Sequence, residues 1–280
     1  MQVFNASDGA RIAYSDSGRG TPIVLLHGLM AHAGFFEGQA GLAENFRIIA
    51  LDLRGHGESA AADGEPPSVE RMAADVAELA DALDLDGAIG VGWSLGATLL
   101  WHVLAGPAGR RFAGAVVVDM TARVRNDDEW DLGLSAEACE ARSLAIQDDF
   151  ESFALTAGQA IFAQPVAPQH RELADWASLQ FARNDADAIA SIWSSLIRQD
   201  VRALLERIQH PTVIVHGGRS ELYGDDTAGH LVAALPHARA VRYENSGHAP
   251  HLEEPALFNA TLKDFADSLS LARTPENSNS

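Results

Sequence analysis

Residues 92–96 (GWSLG) decide the fold of this 280-residue chain. They follow an apolar stretch that ends at Val91 and precede a second apolar stretch at residues 97–105. This order predicts a buried strand, a sharp turn at Ser94 and a helix. A side chain at the first or last position of the motif would collide with the strand and the helix, which explains the two glycines. The turn would present the Ser94 hydroxyl beside the positive end of the helix, an arrangement typical of a nucleophile.

The sequence on both sides of this motif alternates between strand-like and helix-like segments. Six core strands are predicted at 22–26, 46–51, 88–91, 113–118, 211–215 and 238–243. Most of them are continuous apolar runs, which are typical of parallel strands buried on both faces. An opening pair of strands, 2–6 and 10–15, flanks the turn residues 7–9 and predicts an antiparallel hairpin at the sheet edge. Helices are predicted at 35–44, 68–84, 95–105, 225–235 and 255–269. The predicted fold class is α/β, with a mostly parallel eight-stranded sheet and helices on both faces.

A long segment separates the sixth strand from the seventh. Residues 121–200 have helical periodicity and no convincing strand, so we interpret them as a helical cap inserted after the sixth strand. The core is then formed by residues 1–120 and 201–272. Residues 273–280 are polar and predict a disordered tail.

The charge of the chain limits its partners. Asp and Glu outnumber Lys and Arg 39 to 20, which gives a formal net charge of -19. Such a surface repels phosphate backbones and anionic headgroups, so we expect neither nucleic acid nor membrane as a partner. We find no signal-peptide pattern and no apolar stretch long enough to span a bilayer, and therefore expect a cytoplasmic monomer or homodimer.

Two further loops supply groups that acyl transfer needs. Gly28 follows the strand at 22–26, and the N–H group of the next residue, Leu29, can pair with that of Leu95 to form an oxyanion hole. His248 follows the last strand and can take the proton of Ser94 as a general base, although His251 lies close by in the sequence.

Four motifs together resemble the α/β-hydrolase superfamily across nearly the whole chain. They are LHGL at 26–29, DLRGHGES at 52–59, GWSLG at 92–96 and SGHAPHLEEP at 246–255. Within the superfamily the chain resembles small bacterial carboxylesterases related to the pimeloyl-thioester methyl-ester esterase. The resemblance implies a serine hydrolase with a Ser–His–acid triad, and it implies that residues 52–59 form a structural loop.

The acid of the triad is not obvious from the sequence. Relatives commonly carry an aspartate three residues after the glycine at position 217, where this chain has Ser220. We favour Asp119, at the end of the sixth strand, because that strand adjoins the nucleophile strand, and some members of the superfamily place their acid there. Glu221 is the second candidate and Asp225 a third. Alternatively, Asp119 only caps backbone N–H groups.

Aromatic residues suggest the nature of the substrate. We predict a pocket that accepts short to medium apolar acyl chains, lined by Trp93, Trp130, Phe162 and Trp193. The negative net charge disfavours anionic substrates such as phosphorylated carriers. No motif indicates a metal or a dinucleotide, so no cofactor is expected. The predicted partner is a small-molecule ester. The alternatives are a lactonase of the acyl-homoserine lactone type, a thioesterase, or a ligand-sensing protein on a hydrolase scaffold.

Overall fold

Eight strands form one sheet in the computed structural model, which describes residues 1–59 and 66–273. The strands are β1 (Gln2–Asn5), β2 (Arg11–Gly18), β3 (Pro22–Leu26), β4 (Arg47–Leu51), β5 (Ala88–Trp93), β6 (Phe112–Val118), β7 (Thr212–Gly217) and β8 (Ala238–Tyr243). Their order across the sheet is β1-β2-β4-β3-β5-β6-β7-β8. The strands β1 and β2 pair antiparallel, β2 is antiparallel to β4, and the remaining pairs are parallel. The predicted mostly parallel sheet with an antiparallel hairpin at its edge is confirmed.

The prediction of β8 as a core strand is wrong. Among the described residues β8 pairs with β7 alone and lies at the edge of the sheet, where three of its six residues are exposed and one is buried. Its sequence, ARAVRY, places charged residues at two positions that face solvent. By contrast, every residue of β3, β5 and β7 is buried, as expected for continuous apolar strands.

The helices surround the sheet close to the predicted positions. They are α1 (Val69–Ala82), α2 (Leu95–Ala105), α3 (Ala136–Asp148), α4 (Phe150–Ala160), α5 (Arg171–Phe181), α6 (Ala186–Leu196), α7 (Arg202–Leu205), α8 (Asp225–Ala234), α9 (Pro250–Glu253) and α10 (Pro255–Arg273). Further segments at Ala33–Glu44, Pro107–Arg111 and Pro168–His170 are 3₁₀ helices, so the helix predicted at 35–44 is of a different type. The start predicted at residue 68 is confirmed, because the Ser68 hydroxyl caps α1 by accepting a hydrogen bond from the Arg71 N–H group.

Helices α3 to α6 all come from the chain between β6 and β7. The helical character predicted for residues 121–200 is confirmed. The described part of this segment also contains three isolated β-bridges, one of which pairs Arg123 with Asp200. The division into a core and a cap domain stays a prediction. The predicted tail, apart from residue 273 at the end of α10, lies outside the described residues. Within residues 1–59 and 66–273, no helix is both long and apolar enough to cross a membrane.

The strands β3 and β5 and the start of α2 approach one another very closely at the GWSLG motif. A Cβ atom on Gly96 would lie 2.1 Å from the Leu26 carbonyl oxygen, and one on Gly92 would lie 2.5 Å from the Gly96 carbonyl oxygen. Both obstacles are backbone atoms, which cannot rotate away as a side chain could. The packing of α2 against the sheet therefore requires glycine at both positions.

We expect Gly96→Ala to lower the free energy of unfolding by about 1–3 kcal/mol or more, because the new methyl group forces α2 away from β3. Denaturant unfolding of the wild type and the variant measures the change. Gly229→Ala is the matched control, since Gly229 is exposed within α8 and a Cβ atom there meets nothing within 4 Å. That change should stabilise by about 0.5–1 kcal/mol. Equal stabilities for Gly96→Ala and the wild type would contradict the steric argument.

Candidate active site

Ser94 occupies a strained turn between β5 and α2. Its backbone has φ 52° and ψ -118°, and a positive φ is unusual for a residue other than glycine. The Ser94 N–H group donates to the Val118 carbonyl at 3.0 Å, which ties the turn to the end of β6. Strain of this kind is concentrated at functional sites, where the surrounding structure holds it in place. The turn leaves the Ser94 side chain partly exposed at the start of α2.

Asp119 and His248 form a direct, buried contact at the same edge of the sheet. Asp119 Oδ2 lies 2.6 Å from His248 Nδ1, and both residues are almost fully buried. Asp119 also has a positive φ, 46°, directly after β6, and its N–H group donates to the Val215 carbonyl at 2.8 Å. Because the carboxylate accepts a hydrogen bond through Nδ1–H, the Nε2 atom of His248 is left as the proton acceptor.

Ser220 supports the Asp119 carboxylate from the position where relatives commonly have their acid. Its hydroxyl donates to Asp119 Oδ2 at 2.7 Å, and the Gly217 N–H group donates to Oδ1 at 3.1 Å. These donors fix the orientation of the carboxylate against His248. The sequence analysis did not assign this role to Ser220, although a hydroxyl at that position could have suggested it.

The other two candidate acids lie at the surface. Glu221 is exposed, and Asp225 is exposed and pairs with Arg242 at 3.0 Å. The structure therefore brings neither side chain to His248. The physical reason is that the loop after β7 turns the Ser220 hydroxyl inward, which directs the next side chain toward solvent.

The two N–H groups predicted to form an oxyanion hole are free to donate. Within the described part of the chain, the N–H groups of Leu29 and Leu95 make no hydrogen bond to protein atoms. Leu95 is the first residue of α2, where N–H groups have no partner within the helix. The Gly28 loop passes close to the nucleophile, since a Cβ atom on Gly28 would lie 3.3 Å from Ser94 Cβ.

A histidine of the 52–59 loop holds the loop that contains Leu29. The Met30 N–H group donates to His56 Nε2 at 3.1 Å. Burial, followed by the neighbouring His27, lowers the pKa of His56 to about 3, so the ring is neutral at pH 7 and can accept this hydrogen bond. Asp52 in the same loop accepts from the Ala33 N–H group at 2.8 Å. These contacts are those of a structural loop.

Ser94 and His248 line one pocket of about 280 Å³. Of the predicted pocket residues, Trp93 and Trp193 line it, and Trp130 and Phe162 do not. Trp130 is instead buried where its indole N–H group donates to the Arg123 carbonyl, and Phe162 is buried beside Gly247. Both residues lie outside the helices, Trp130 before α3 and Phe162 after α4, so their places depend on loop contacts that helical periodicity does not predict. The other lining residues are Gly28, Leu29, Met30, Arg142, Phe153, Thr156, Ala157, Ala160, Ile161, Phe181, Leu196, Leu222 and Tyr223.

His251, the competing histidine, does not line this pocket. It is fully buried, with its ring 4.8 Å from the Trp93 ring. Burial, with a smaller effect of His248, lowers the pKa of His251 to about 3, which keeps the ring neutral. Trp93 separates it from the pocket and also donates its indole N–H group to the His248 carbonyl at 2.8 Å.

Glu253 ties the His248 loop to the segment that follows α4. Its two carboxylate oxygens accept hydrogen bonds from the Gly247 N–H group at 2.6 Å and the Ala163 N–H group at 3.0 Å. Burial raises the pKa of Glu253 from 4.5 to about 6, and the two hydrogen bonds only partly offset this effect. Glu253 therefore positions the residue next to His248 and is a group that the sequence analysis missed.

The raised pKa of Glu253 predicts a pH-dependent stability. Between pH 4.5 and 6 the folded state binds the Glu253 proton more tightly than the unfolded state, so stability from this group falls as the pH rises. The difference corresponds to about 2 kcal/mol. We expect the stability of the wild type relative to Glu253→Gln to decrease by that amount between pH 4.5 and pH 7. Denaturant unfolding of both proteins at the two pH values measures it, and a difference independent of pH would disprove the assignment.

Comparison with known proteins places the chain in a family. A family model described as alpha/beta hydrolase fold matches residues 21–255. The chain therefore belongs to the α/β-hydrolase family. It is 29% identical to a pimeloyl-[acyl-carrier protein] methyl ester esterase from Nitrosomonas europaea, with 89% of this chain and 97% of that protein covered. It is also 29% identical to a non-heme chloroperoxidase from Streptomyces lividans, over 96% of this chain and all of that protein.

A solved structure has the same architecture. An esterase from Exiguobacterium antarcticum superimposes with a TM-score of 0.88 at 25% identity, covering 95% of this chain and 98% of that one. The family and the esterases among these similar proteins support a hydrolase.

Proposed function

We propose that this protein is a serine esterase that cleaves carboxylic esters with short to medium apolar acyl groups through an acyl-enzyme. The observation that carries the proposal is the 2.6 Å contact between His248 Nδ1 and Asp119 Oδ2, beside a pocket that Ser94 and His248 share. The relatives named as esterases support the reaction class. The modest pocket volume and its mostly apolar lining support a short to medium acyl chain.

In the first half of the proposed reaction, Ser94 Oγ attacks the ester carbonyl carbon while His248 Nε2 takes the hydroxyl proton. Asp119 holds the ring through Nδ1–H and stabilises the positive charge that the ring acquires. The N–H groups of Leu29 and Leu95 donate to the oxyanion. The carbon–oxygen bond to the alcohol then breaks, and His248 gives its proton to the departing alcohol oxygen.

The second half of the reaction releases the acid. His248 takes a proton from a water molecule, whose oxygen attacks the acyl carbon bound to Ser94 Oγ. The bond to Ser94 breaks, and the serine recovers its proton from His248. A lactone or a thioester would pass through the same steps, with a hydroxyl on the same molecule or a thiol as the leaving group.

We propose that residues 121–200 act as a cap over this reaction. Helices α3, α4, α5 and α6 each supply lining residues to the pocket, among them Phe153 on α4, Phe181 on α5 and Trp193 on α6. The nucleophile and the histidine come from the other side of the pocket, from the ends of β5 and β8. The cap therefore sets the size of the acyl group, and the core carries the chemistry.

Hydrolysis of a series of p-nitrophenyl acyl esters tests the proposed triad. We expect Ser94→Ala and His248→Ala to lower kcat by roughly 10⁴- to 10⁶-fold, because nucleophile and base act as one unit. Asp119→Asn should lower kcat by about 10⁴-fold, since an amide no longer holds the reactive tautomer of His248.

Glu221→Gln is the matched control, because it also replaces a carboxylate near the same loop but at an exposed position. It should retain wild-type activity. Activity that survives Ser94→Ala would refute the serine mechanism, and loss of activity in Glu221→Gln with retention in Asp119→Asn would reassign the acid.

A further inference from the structure

The guanidinium of Arg142 is a permanent charge in the lining of the pocket. Arg142 lies on α3, and among the lining residues that the structure describes it is the only Asp, Glu, Lys or Arg. It lies over the Trp193 ring, with Cζ 5.8 Å from the ring centroid. Such a cation–π contact offsets part of the cost of desolvating the guanidinium and holds it in place. A charge in this position is not needed to bind an apolar acyl chain.

Arg142 has no carboxylate partner in the described part of the chain. None of the ion pairs or side-chain hydrogen bonds found within residues 1–59 and 66–273 includes it. What distinguishes Arg142 is its position, because its side chain lines the pocket that Ser94 and His248 share. The five N–H donors of Arg142 are therefore available to a ligand.

A second hydrogen-bond donor, the Tyr223 hydroxyl, lines the same pocket. Tyr223 is 6% exposed and lines the pocket, yet its hydroxyl makes no hydrogen bond to the described residues. Burial raises the pKa of Tyr223, and the nearby positive charge of Arg142 only partly opposes this, so the hydroxyl stays protonated. Its ring centroid lies 6.0 Å from that of His248, and the Arg142 charge is close enough to act on its pKa, so Tyr223 is near both the catalytic histidine and Arg142.

We infer that Arg142 and the Tyr223 hydroxyl form a carboxylate-binding subsite, and that the preferred substrate is an ester carrying a second, free carboxylate. A planar guanidinium matches a carboxylate with two parallel hydrogen bonds. This inference rests on the proposed esterase function and specifies its substrate class. The free carboxylate belongs either to the acyl part, as in a half-ester of a dicarboxylic acid, or to the alcohol part, as in an ester of a hydroxy acid.

The charge balance favours a carboxylate over a phosphate. A single guanidinium neutralises the single charge of a carboxylate, whereas a phosphate monoester brings more charge than one arginine offsets. The formal net charge of -19 also repels a dianion more strongly than a monoanion. Arg142 thus allows the pocket to bind a monoanionic group, although the negative net charge of the protein disfavours anionic ligands.

The test compares kcat/KM for three series of esters of matched length: half-esters of dicarboxylic acids, hydroxy-acid esters of monocarboxylic acids, and neutral methyl esters. We expect the wild type to prefer one of the two carboxylate series over the neutral series. Arg142→Gln should lower that preference roughly 10- to 100-fold, mainly through KM, as expected for a lost charge-assisted interaction. Arg142→Lys should retain part of the preference for carboxylate esters, because lysine keeps the positive charge but lacks the planar guanidinium.

Arg171→Gln is the control, since it removes the same charge from an exposed cap position that does not line the pocket. It should leave the preference unchanged. Equal kcat/KM for carboxylate and neutral esters in the wild type, or an unchanged preference in Arg142→Gln, would overturn the subsite while leaving the esterase proposal intact.

Hydrolysis of none of the three series would count against the esterase proposal instead. In that case, calorimetric titration of the half-esters into Ser94→Ala and into the Ser94→Ala/Arg142→Gln double variant decides the subsite. Binding that is weakened at least 10-fold by the second change supports it, and equal or undetectable binding in both refutes it.

Discussion

The carboxylate of Asp119 joins three parts of the chain at the carboxyl edge of the sheet. It accepts hydrogen bonds from His248 in the last loop, from Gly217 at the end of β7 and from Ser220 after β7, while its own backbone directly follows β6. A buried carboxylate is stable only when its oxygens are satisfied in this way, so the three loops must adopt compatible conformations. The orientation of His248, and with it the acceptor nitrogen that faces the pocket, follows from that constraint.

Two contacts of the backbone position the rest of the site: the start of α2 against β3, and the loop of Leu29 against His56. The glycines of the GWSLG motif let α2 begin against β3, directly after the Ser94 turn. The neutral ring of His56 accepts a hydrogen bond from Met30 and holds the loop of Leu29, whose N–H group has no acceptor among residues 1–59 and 66–273. The core thus supplies rigid donors and acceptors, and the helices between β6 and β7 supply a pocket whose shape can vary independently of them.

Local sequence predicted most of the fold, because buried parallel strands and the glycine-flanked serine leave strong and specific patterns. It also predicted that Asp119 is a candidate acid, from its position at the end of β6. It did not reveal the support from Ser220 and Glu253, since Ser220 contacts Asp119 and Glu253 contacts Ala163, and both pairs are distant in sequence. Trp130 and Phe162 were misplaced for a similar reason: an aromatic composition indicates burial, whereas the contacts of residues outside the helices depend on the tertiary structure. That Arg142 has no carboxylate partner among residues 1–59 and 66–273 likewise follows only from their positions in the structure.

The exposed edge strand β8 has a consequence for assembly. An unpaired strand edge offers free backbone N–H and C=O groups, to which a strand from another chain can add. Here the exposed positions of β8 carry Arg239 and Arg242, and Arg242 is fixed across the edge by Asp225 and Glu244. Two copies meeting edge to edge would bring these arginines together and bury their charges. The two arginines therefore disfavour extension of the sheet into a continuous intermolecular sheet at its β8 edge.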